Sequence, residues 1–290
     1  MSFSIVTDSC CDLPKSLTST YKDFTIENLT FKMDDEIDPQ IEGKDFYNRL
    51  RKGSTSTTSA VAPGKFAEAF TKNAEEGKDT LYIAFSSGLS GTYQSGVTAK
   101  NMIQKNFPDR KIICVDTLAA SCGLGRLVDR AVELRDEGKT IDETAQWLEN
   151  NKLHLSHWYT VTDLNFLARG GRVKASAAWF GTVLNIKPVM NMDDLGWLIP
   201  REKVRGRKRS IERLCERMEE MMYDQPENKK IFISHGDCMD EVQILVDMIK
   251  KRFGINDFMI NYVGPVIGSH TGPGVIALYF FGKDRDDFKS

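Results

Sequence analysis

The chain lacks an apolar run long enough to cross a bilayer, which takes ~20 residues; the longest near its end, Val275 to Phe281, has seven. Its first residues lack the unbroken apolar core of a secretory signal, since Asp8 and Asp12 interrupt them. A cytoplasmic protein without stable membrane insertion is therefore expected. There is no basic excess: 39 Lys+Arg stand against 41 Asp+Glu, a net charge of -2. That balance and the absence of any recognised motif argue against nucleic acid as a partner. Among six cysteines there is no CxxC pair; Cys10 and Cys11 are adjacent, and Cys114, Cys122, Cys215 and Cys238 are scattered. Neither a disulfide framework nor a structural zinc site fits that spacing. Histidine is scarce too, with His154, His157, His235 and His270 dispersed, so no metal and no cofactor is expected. His235 and Cys238 have ligand-like spacing, but Asp237 between them reads equally well as a helix cap after a buried strand.

What is present is ordinary for a folded globular protein: 41% apolar and 28% charged residues over 290 positions. At about 150 residues per domain, that length suggests two domains. The first half alternates strand and helix. Phe3 to Thr7, Leu81 to Phe85 and Lys111 to Val115 are β-rich runs, each followed by a polar loop and a helical stretch. Such repetition predicts a parallel sheet with covering helices, and ligands in those sheets sit beyond the carboxyl ends of the strands. Phe24 to Met33 reads as extended, Lys44 to Lys52 as helix, and Pro63 opens a helix with Phe66, Ala67 and Phe70 on one face. The second half is mixed: a strand at Trp158 to Thr162, a buried helix at Val173 to Leu184, and a hairpin around Asp193-Asp194. Helix (208–222), strand (230–234), helix (241–252) and two strands (258–263 and 275–281) follow. The expected architecture is α/β in two domains: a parallel-sheet α/β domain over 1–155 and an α+β domain over 156–290.

Four segments carry side chains suited to chemistry, each with a plainer alternative. Ser86 to Tyr93 holds Gly88 and Gly91 for tight turning, with Ser90 and Thr92 at a helix start. Free N–H groups there suit a carboxylate or a phosphate, unless the hydroxyls only cap their own helix. Ser54 to Ser59 are six consecutive hydroxyl residues, either a flexible linker or a loop over a ligand head group. Gly268 to Gly274 sets His270 and Thr271 in a constrained turn, where the histidine is either structural or ligand-facing. Arg169-Gly-Gly-Arg172 either grips an anion or ends a helix. The run from Arg201 to Arg209 has six cations in nine residues, a solvated face first and a docking patch for an acidic partner second.

Taken together and in order, these segments resemble the DegV family. The matching pieces are Thr7-Asp8-Ser9 with Asp12-Leu13-Pro14, Thr58-Ser59, Ser87 to Ser95, Val115-Asp116, Arg169 to Arg172, and His270 to Gly274. The resemblance spans nearly the whole chain. It implies two α/β domains with a long-chain fatty acid between them, and no turnover by the protein alone. It further implies the role of the acyl-carrying subunit of a bacterial fatty acid kinase. Such a subunit presents the carboxylate to a separate ATP-dependent kinase subunit, which forms acyl phosphate. Carried over by residue, the resemblance puts the carboxylate against Thr58, Ser59, Ser90 and the N–H groups near Gly91, with His270 and Thr271 close by. Arg169 and Arg172 shape the head-group region or face the kinase. No residue is assigned a catalytic role. Two departures stand out: Ala60-Val61-Ala62 separates Thr58-Ser59 from Pro63, and Asp116 is followed by Thr117 where the family has serine. Two other readings stay open: a serine hydrolase using Ser90, His270 and Asp8 or Asp116, and a binding protein for a small phosphorylated ligand.

Overall fold

The computed structural model describes residues 3–174 and 185–285. They form a mixed α/β protein of two compact units, one made of residues 1–30 and 58–152, the other of 31–57 and 153–290. The sequence reading draws one boundary at 155/156, whereas residues 31–57 group with the later half of the chain. No helix among the described residues is long and apolar enough to cross a membrane.

The first unit is built on four parallel strands in the order β2-β1-β6-β7. These are β1 (Ser4–Asp8), β2 (Phe24–Glu27), β6 (Thr80–Ala84) and β7 (Ile112–Asp116). Every residue of β1 and β6 is buried, as expected of central parallel strands covered on both faces. After a short α1 (Lys15–Thr18), the helices are α3 (Pro63–Glu75), α4 (Thr92–Ile103), α5 (Cys122–Asp136) and α6 (Ile141–Asn151). Phe66 and Phe70, one helical turn apart on α3, meet the Tyr82 ring of β6 at 4.6 and 6.1 Å between centroids. Thr140 and Glu143 close a reciprocal capping box at the start of α6. Between β7 and α5 the sequence reading continues the helix from Leu118, but residues 118–121 form a tight connection. Leu118 sits at φ 51° and Ser121 at φ 53° with ψ -144°, and α5 begins only at Cys122.

The second unit contains most of a three-stranded sheet, β4-β3-β5, whose outermost residues Thr30, Thr58 and Ser59 are grouped with the first, and a six-stranded sheet, β10-β9-β8-β13-β11-β12. In the small sheet, β3 (Thr30–Met33) and β4 (Glu36–Ile37) form a hairpin, and β5 is Ser56–Ser59. Four of the six hydroxyl residues, Ser56–Ser59, are therefore strand, and Ser54 and Thr55 lead into it. The large sheet comprises β8 (Leu155–Thr160), β9 (Ile186–Met192), β10 (Leu198–Arg205), β11 (Lys230–His235), β12 (Asp257–Tyr262) and β13 (Ile276–Phe281). All its pairings are antiparallel except β11 with β12. The helix expected over Val173–Leu184 falls mostly outside the described residues; Val173 itself bridges to Leu198.

Side chains alternate across this sheet with period two. Ile231 and Ile233 of β11, with Ile276 and Leu278 of β13, turn to one face. There they meet Leu214 of α8 (Arg207–Met221) and Leu245 of α9 (Met239–Phe253). Residues 31–57 belong here because α2 (Gly43–Arg51) is tied to the ends of β11 and β12. The Tyr47 hydroxyl donates to Val263 O at 2.7 Å, and Arg51 pairs with Asp237 at 2.5 Å.

Two of the six cations of the basic run, Arg207 and Arg209, are ion-paired within the unit. Arg207 pairs with Glu241 at 2.7 Å, Arg209 with Glu216, and Arg201 donates to Asn191. This favours the solvated-face reading. Replacing Leu214, fully buried in the core under α8, by alanine should cost about 2–5 kcal/mol of stability, read as a lowered denaturant midpoint.

Candidate functional site

In the four-stranded parallel sheet the chain leaves β1 toward β2 on one side, while β6 and β7 lie on the other. The loops after β1 and β6 therefore leave in opposite directions, at the kind of switch point where parallel sheets commonly bind ligands. Ser86 to Gly91 occupies this position. Two aspartates hold the loop from either side. Asp8, at the end of β1, accepts from the Phe85 N–H at 2.9 Å and from the Cys10 N–H at 3.1 Å. Asp116, at the end of β7, accepts from Ser87 N–H at 3.1 Å and Leu118 N–H at 3.2 Å. Between them Ser86 is fully buried, donates its N–H to Ala119 O, and takes the Gly88 N–H on its hydroxyl.

The loop then presents Ser90 at the entry to α4. The Ser90 and Thr92 hydroxyls lie 2.9 Å apart, and Ser90 Oγ accepts from the Thr92 N–H at 3.3 Å. Ser90 thus gives its helix a modest cap, as the plainer reading holds. It retains a further capacity: in a hydroxyl pair one proton bridges the two oxygens and the other remains to be donated. Gly91, the exposed N-cap of α4, has no side-chain cap, and the first turn contains no acidic residue. A helix start of this kind favours an anion.

Burial pushes the Asp8 carboxyl up to about 6, against the opposing pull of its backbone N–H donors and the Tyr82 hydroxyl. Burial also raises the Cys10 and Cys11 thiols, which makes both poor nucleophiles.

In the second unit, two sequence motifs that are a hundred residues apart come together. Helix α7 (Asn165–Gly170) ends at Gly171, which has φ +66°. The Arg172 guanidinium folds back onto Gly170 O, so this arginine does supply the helix-end bond that the plainer reading assigns it. The end of α7 lies directly against His270, in the last turn of α10 (Pro265–Thr271). His270 is thus on a helix rather than in the turn expected from Gly268 to Gly274; the turn begins at Gly272. Burial and the neighbouring Arg172 charge lower the His270 imidazole to about 4, so it is neutral at pH 7. Arg169 is exposed and stacks on Phe166 at 4.6 Å.

The turn after α10 is secured at several points. Gly274 N–H donates to Gly236 O at 2.7 Å, Thr162 Oγ1 to Pro273 O at 2.6 Å, and Arg207 to Gly274 O at 2.5 Å. Ser56 and Ser269 share a hydroxyl contact of 2.6 Å, which joins the hydroxyl run to α10 through two residues the sequence reading did not single out. Thr271 spends its proton on Ile267 O and keeps only acceptor capacity. Thr58 is half-buried and Ser59 exposed on β5. No group of three or more His, Cys, Asp or Glu suited to a metal occurs among the described residues. His235 accepts from the Cys238 N–H, and Asp237 pairs with Arg51 instead of capping α9.

A parallel sheet with a glycine- and hydroxyl-rich loop at its switch point, together with a second sheet-rich unit, defines a class of two-unit α/β proteins. The sequence profile of the DegV family of uncharacterised proteins matches residues 2–283, and the chain belongs to that family. A DegV domain-containing protein of Clostridium perfringens is 41% identical over 289 residues, covering 98% of this chain and 99% of the relative. A DegV lipid-binding protein from Thermotoga maritima superposes with a TM-score of 0.82 at 31% identity, covering 99% of this chain and 100% of that one. A fatty-acid-binding DegV family protein from Thermus thermophilus gives 0.85 at 30% identity, covering 98% and 100%.

The Asp8 shift has a defined sign. A carboxyl raised from 3.8 to about 6 on folding binds more protons folded than unfolded between those values. Its contribution to stability is complete below pH 3.8 and lost as pH rises through about 6. Wild-type protein should therefore lose roughly 2–4 kcal/mol relative to Asp8→Asn between pH 4 and 7, measured by urea unfolding at each pH. A pH-independent difference would contradict the assignment.

Proposed function

We propose that this protein binds a long-chain fatty acid and presents its carboxylate to an ATP-dependent kinase subunit, which converts it to acyl phosphate in the cytoplasm. The observation that carries this reading is the Ser86–Thr92 loop, with its spare hydroxyl proton and helix start at the strand switch point. Family members described as lipid-binding and fatty-acid-binding support the ligand class. In this assignment Ser90, Thr58 and Ser59 donate to the carboxylate, assisted by N–H groups near Gly91. His270 is kept as a proposed contact of the head group, whereas Thr271, its proton taken by Ile267 O, adds no donor to this assignment. Arg169 and Arg172 shape the head-group region or face the kinase.

Magnitudes agree with that division of labour. About 14 methylenes at ~0.8 kcal/mol each give roughly 11 kcal/mol of gross transfer free energy, so the tail can dominate affinity. Hydroxyl and peptide donors satisfy a carboxylate without a tight ion pair, which would blunt its nucleophilicity toward ATP. The hydrolase alternative is disfavoured because Ser90 pairs with Thr92, while Asp8 and Asp116 are committed to backbone N–H groups.

An organic extract of untreated protein should contain about one equivalent of fatty acid by mass spectrometry. Ser90→Ala should weaken rebinding to delipidated protein about tenfold, the worth of one hydrogen bond to a charged group. It should also slow acyl-phosphate formation with ATP and a fatty acid kinase subunit. Absence of lipid, with no rebinding, would instead favour the small phosphorylated ligand.

A further inference from the structure

Tyr82, in the middle of β6, is fully buried and carries its hydroxyl to the first turn of α4. Its oxygen stands 3.4 Å from Asp8 Oδ2 and 3.4 Å from Thr92 O, so one proton faces two acceptors at equal distance. Both distances are long for an O–H···O bond, and the hydroxyl is committed to neither. Gly96 makes the second contact possible. A Cβ on that glycine would fall 2.3 and 2.6 Å from Cε1 and Cδ1 of the Tyr82 ring. Only a residue without a side chain lets α4 lie this close, one helical turn beyond the Thr92 carbonyl that the hydroxyl reaches. On its other side the ring is backed by Phe66 and Phe70 of α3, so it cannot withdraw. We infer that Tyr82 is a positioning residue that couples the charge on Asp8 to the start of α4, and so to the Ser90–Thr92 hydroxyl pair. The role of that pair toward a ligand rests on the fatty-acid reading above; the coupling rests on the two contacts of the Tyr82 hydroxyl.

An ionised Asp8 is the stronger acceptor and takes the Tyr82 proton, leaving Thr92 O to its partner within the helix. A protonated Asp8 can itself donate; the hydroxyl then turns and gives its proton to Thr92 O. No heavy atom has to travel, because both acceptors already stand at 3.4 Å. Thr92 holds Ser90 through its hydroxyl at 2.9 Å and its N–H at 3.3 Å, so a change at Thr92 reaches Ser90. Burial lifts Asp8 to about 6, where its charge changes near neutral pH. Burial and the Asp8 charge keep Tyr82 itself protonated. In the turn after β1, burial holds the Cys10 and Cys11 thiols neutral, and Asp12 is bonded to Ser121 Oγ at 2.5 Å. On β7, Cys114 is pushed up to about 11 by burial. On β2, Glu27 lies opposite Asp8 in the strand register. Burial raises it, with Lys65 of α3 opposing the shift and Glu68 adding to it. Glu27 is the group whose titration must be separated from that of Asp8, and Asp8→Asn separates them.

The test is a pH titration of the backbone amide proton–nitrogen spectrum of the whole protein. In wild type, the signals of Thr92 and Gly96 should follow the same midpoint as those of Cys10 and Phe85, which report Asp8 directly. In Asp8→Asn neither set should show that midpoint. Tyr82→Phe keeps the ring against Phe66, Phe70 and Gly96 and removes only the hydroxyl. There Cys10 and Phe85 should still titrate, with a midpoint raised by about half a pH unit because the carboxylate has lost a donor. Thr92 and Gly96 should lose most of their response. Wild-type α4 signals that ignore Asp8 would overturn the proposal, and that arm needs no variant. So would α4 signals that follow Asp8 unchanged in Tyr82→Phe, since a purely packing role of the ring predicts that result. Oleic acid added to delipidated wild type should move the Asp8 midpoint, because coupling between two sites is reciprocal. Binding of oleic acid without such a movement would overturn the link from Asp8 to the ligand. No binding of oleic acid, with the α4 coupling intact, would overturn the fatty-acid reading alone.

Discussion

The loop at the centre of the first unit depends on a carboxylate that is entirely buried. Asp8 spends its oxygens on the N–H groups of Cys10 and Phe85, at the exits of two adjacent parallel strands. Burying a carboxyl is expensive, and the elevated Asp8 pKa records that cost. In return, the two exits are fixed relative to each other by bonds that no apolar side chain could make. Asp116 repeats the device from the third strand, so the backbone around Ser86 is pinned on both flanks. The loop is also bonded within itself: the N–H groups of Gly88, Leu89 and Ser90 all donate to Ser86.

Much of the architecture was legible in the sequence because hydrophobic period reports burial directly. The β-branched runs of β1, β6 and β7, each followed by a polar loop and a helix, required a parallel sheet; the hairpin at Asp193-Asp194 was equally plain. Composition misled where tertiary pairing overrode it. Ser54 to Ser59 reads as linker because hydroxyl residues carry no periodic apolar signal, yet Ser56–Ser59 pair into a sheet. Gly268 to Gly274 reads as a turn because glycine and proline dominate it, yet Pro265 sits in the first turn of a short helix reaching Thr271. The grouping of residues 31–57 with the later half was invisible, since Tyr47 bonding Val263 links positions more than two hundred apart.

The candidate site was legible as residue types and not as geometry. Hydroxyls, glycines, arginines and a histidine announced anion chemistry, but the meeting of the Arg169–Arg172 motif with His270 required the structure. Within the second unit, Arg172 is turned onto a carbonyl oxygen and His270 is neutral at pH 7; in the first, Ser90 pairs with the Thr92 hydroxyl.

The order in which the chain enters the two units also shapes its synthesis. Residues 31–57 emerge from the ribosome early, yet the partners of α2, among them Asp237 and Val263, are made near the end. The first unit, by contrast, has all its strands once residue 116 has emerged. Domains generally fold as they emerge, N-terminal first. Here that rule gives a nascent chain whose parallel sheet can form while an excursion of 27 residues, from 31 to 57, waits for the second unit. Polar and acidic residues fill much of that excursion, including Asp34, Asp35, Glu36 and Ser54 to Ser59. A segment of that composition is suited to remain solvated and unaggregated during the wait.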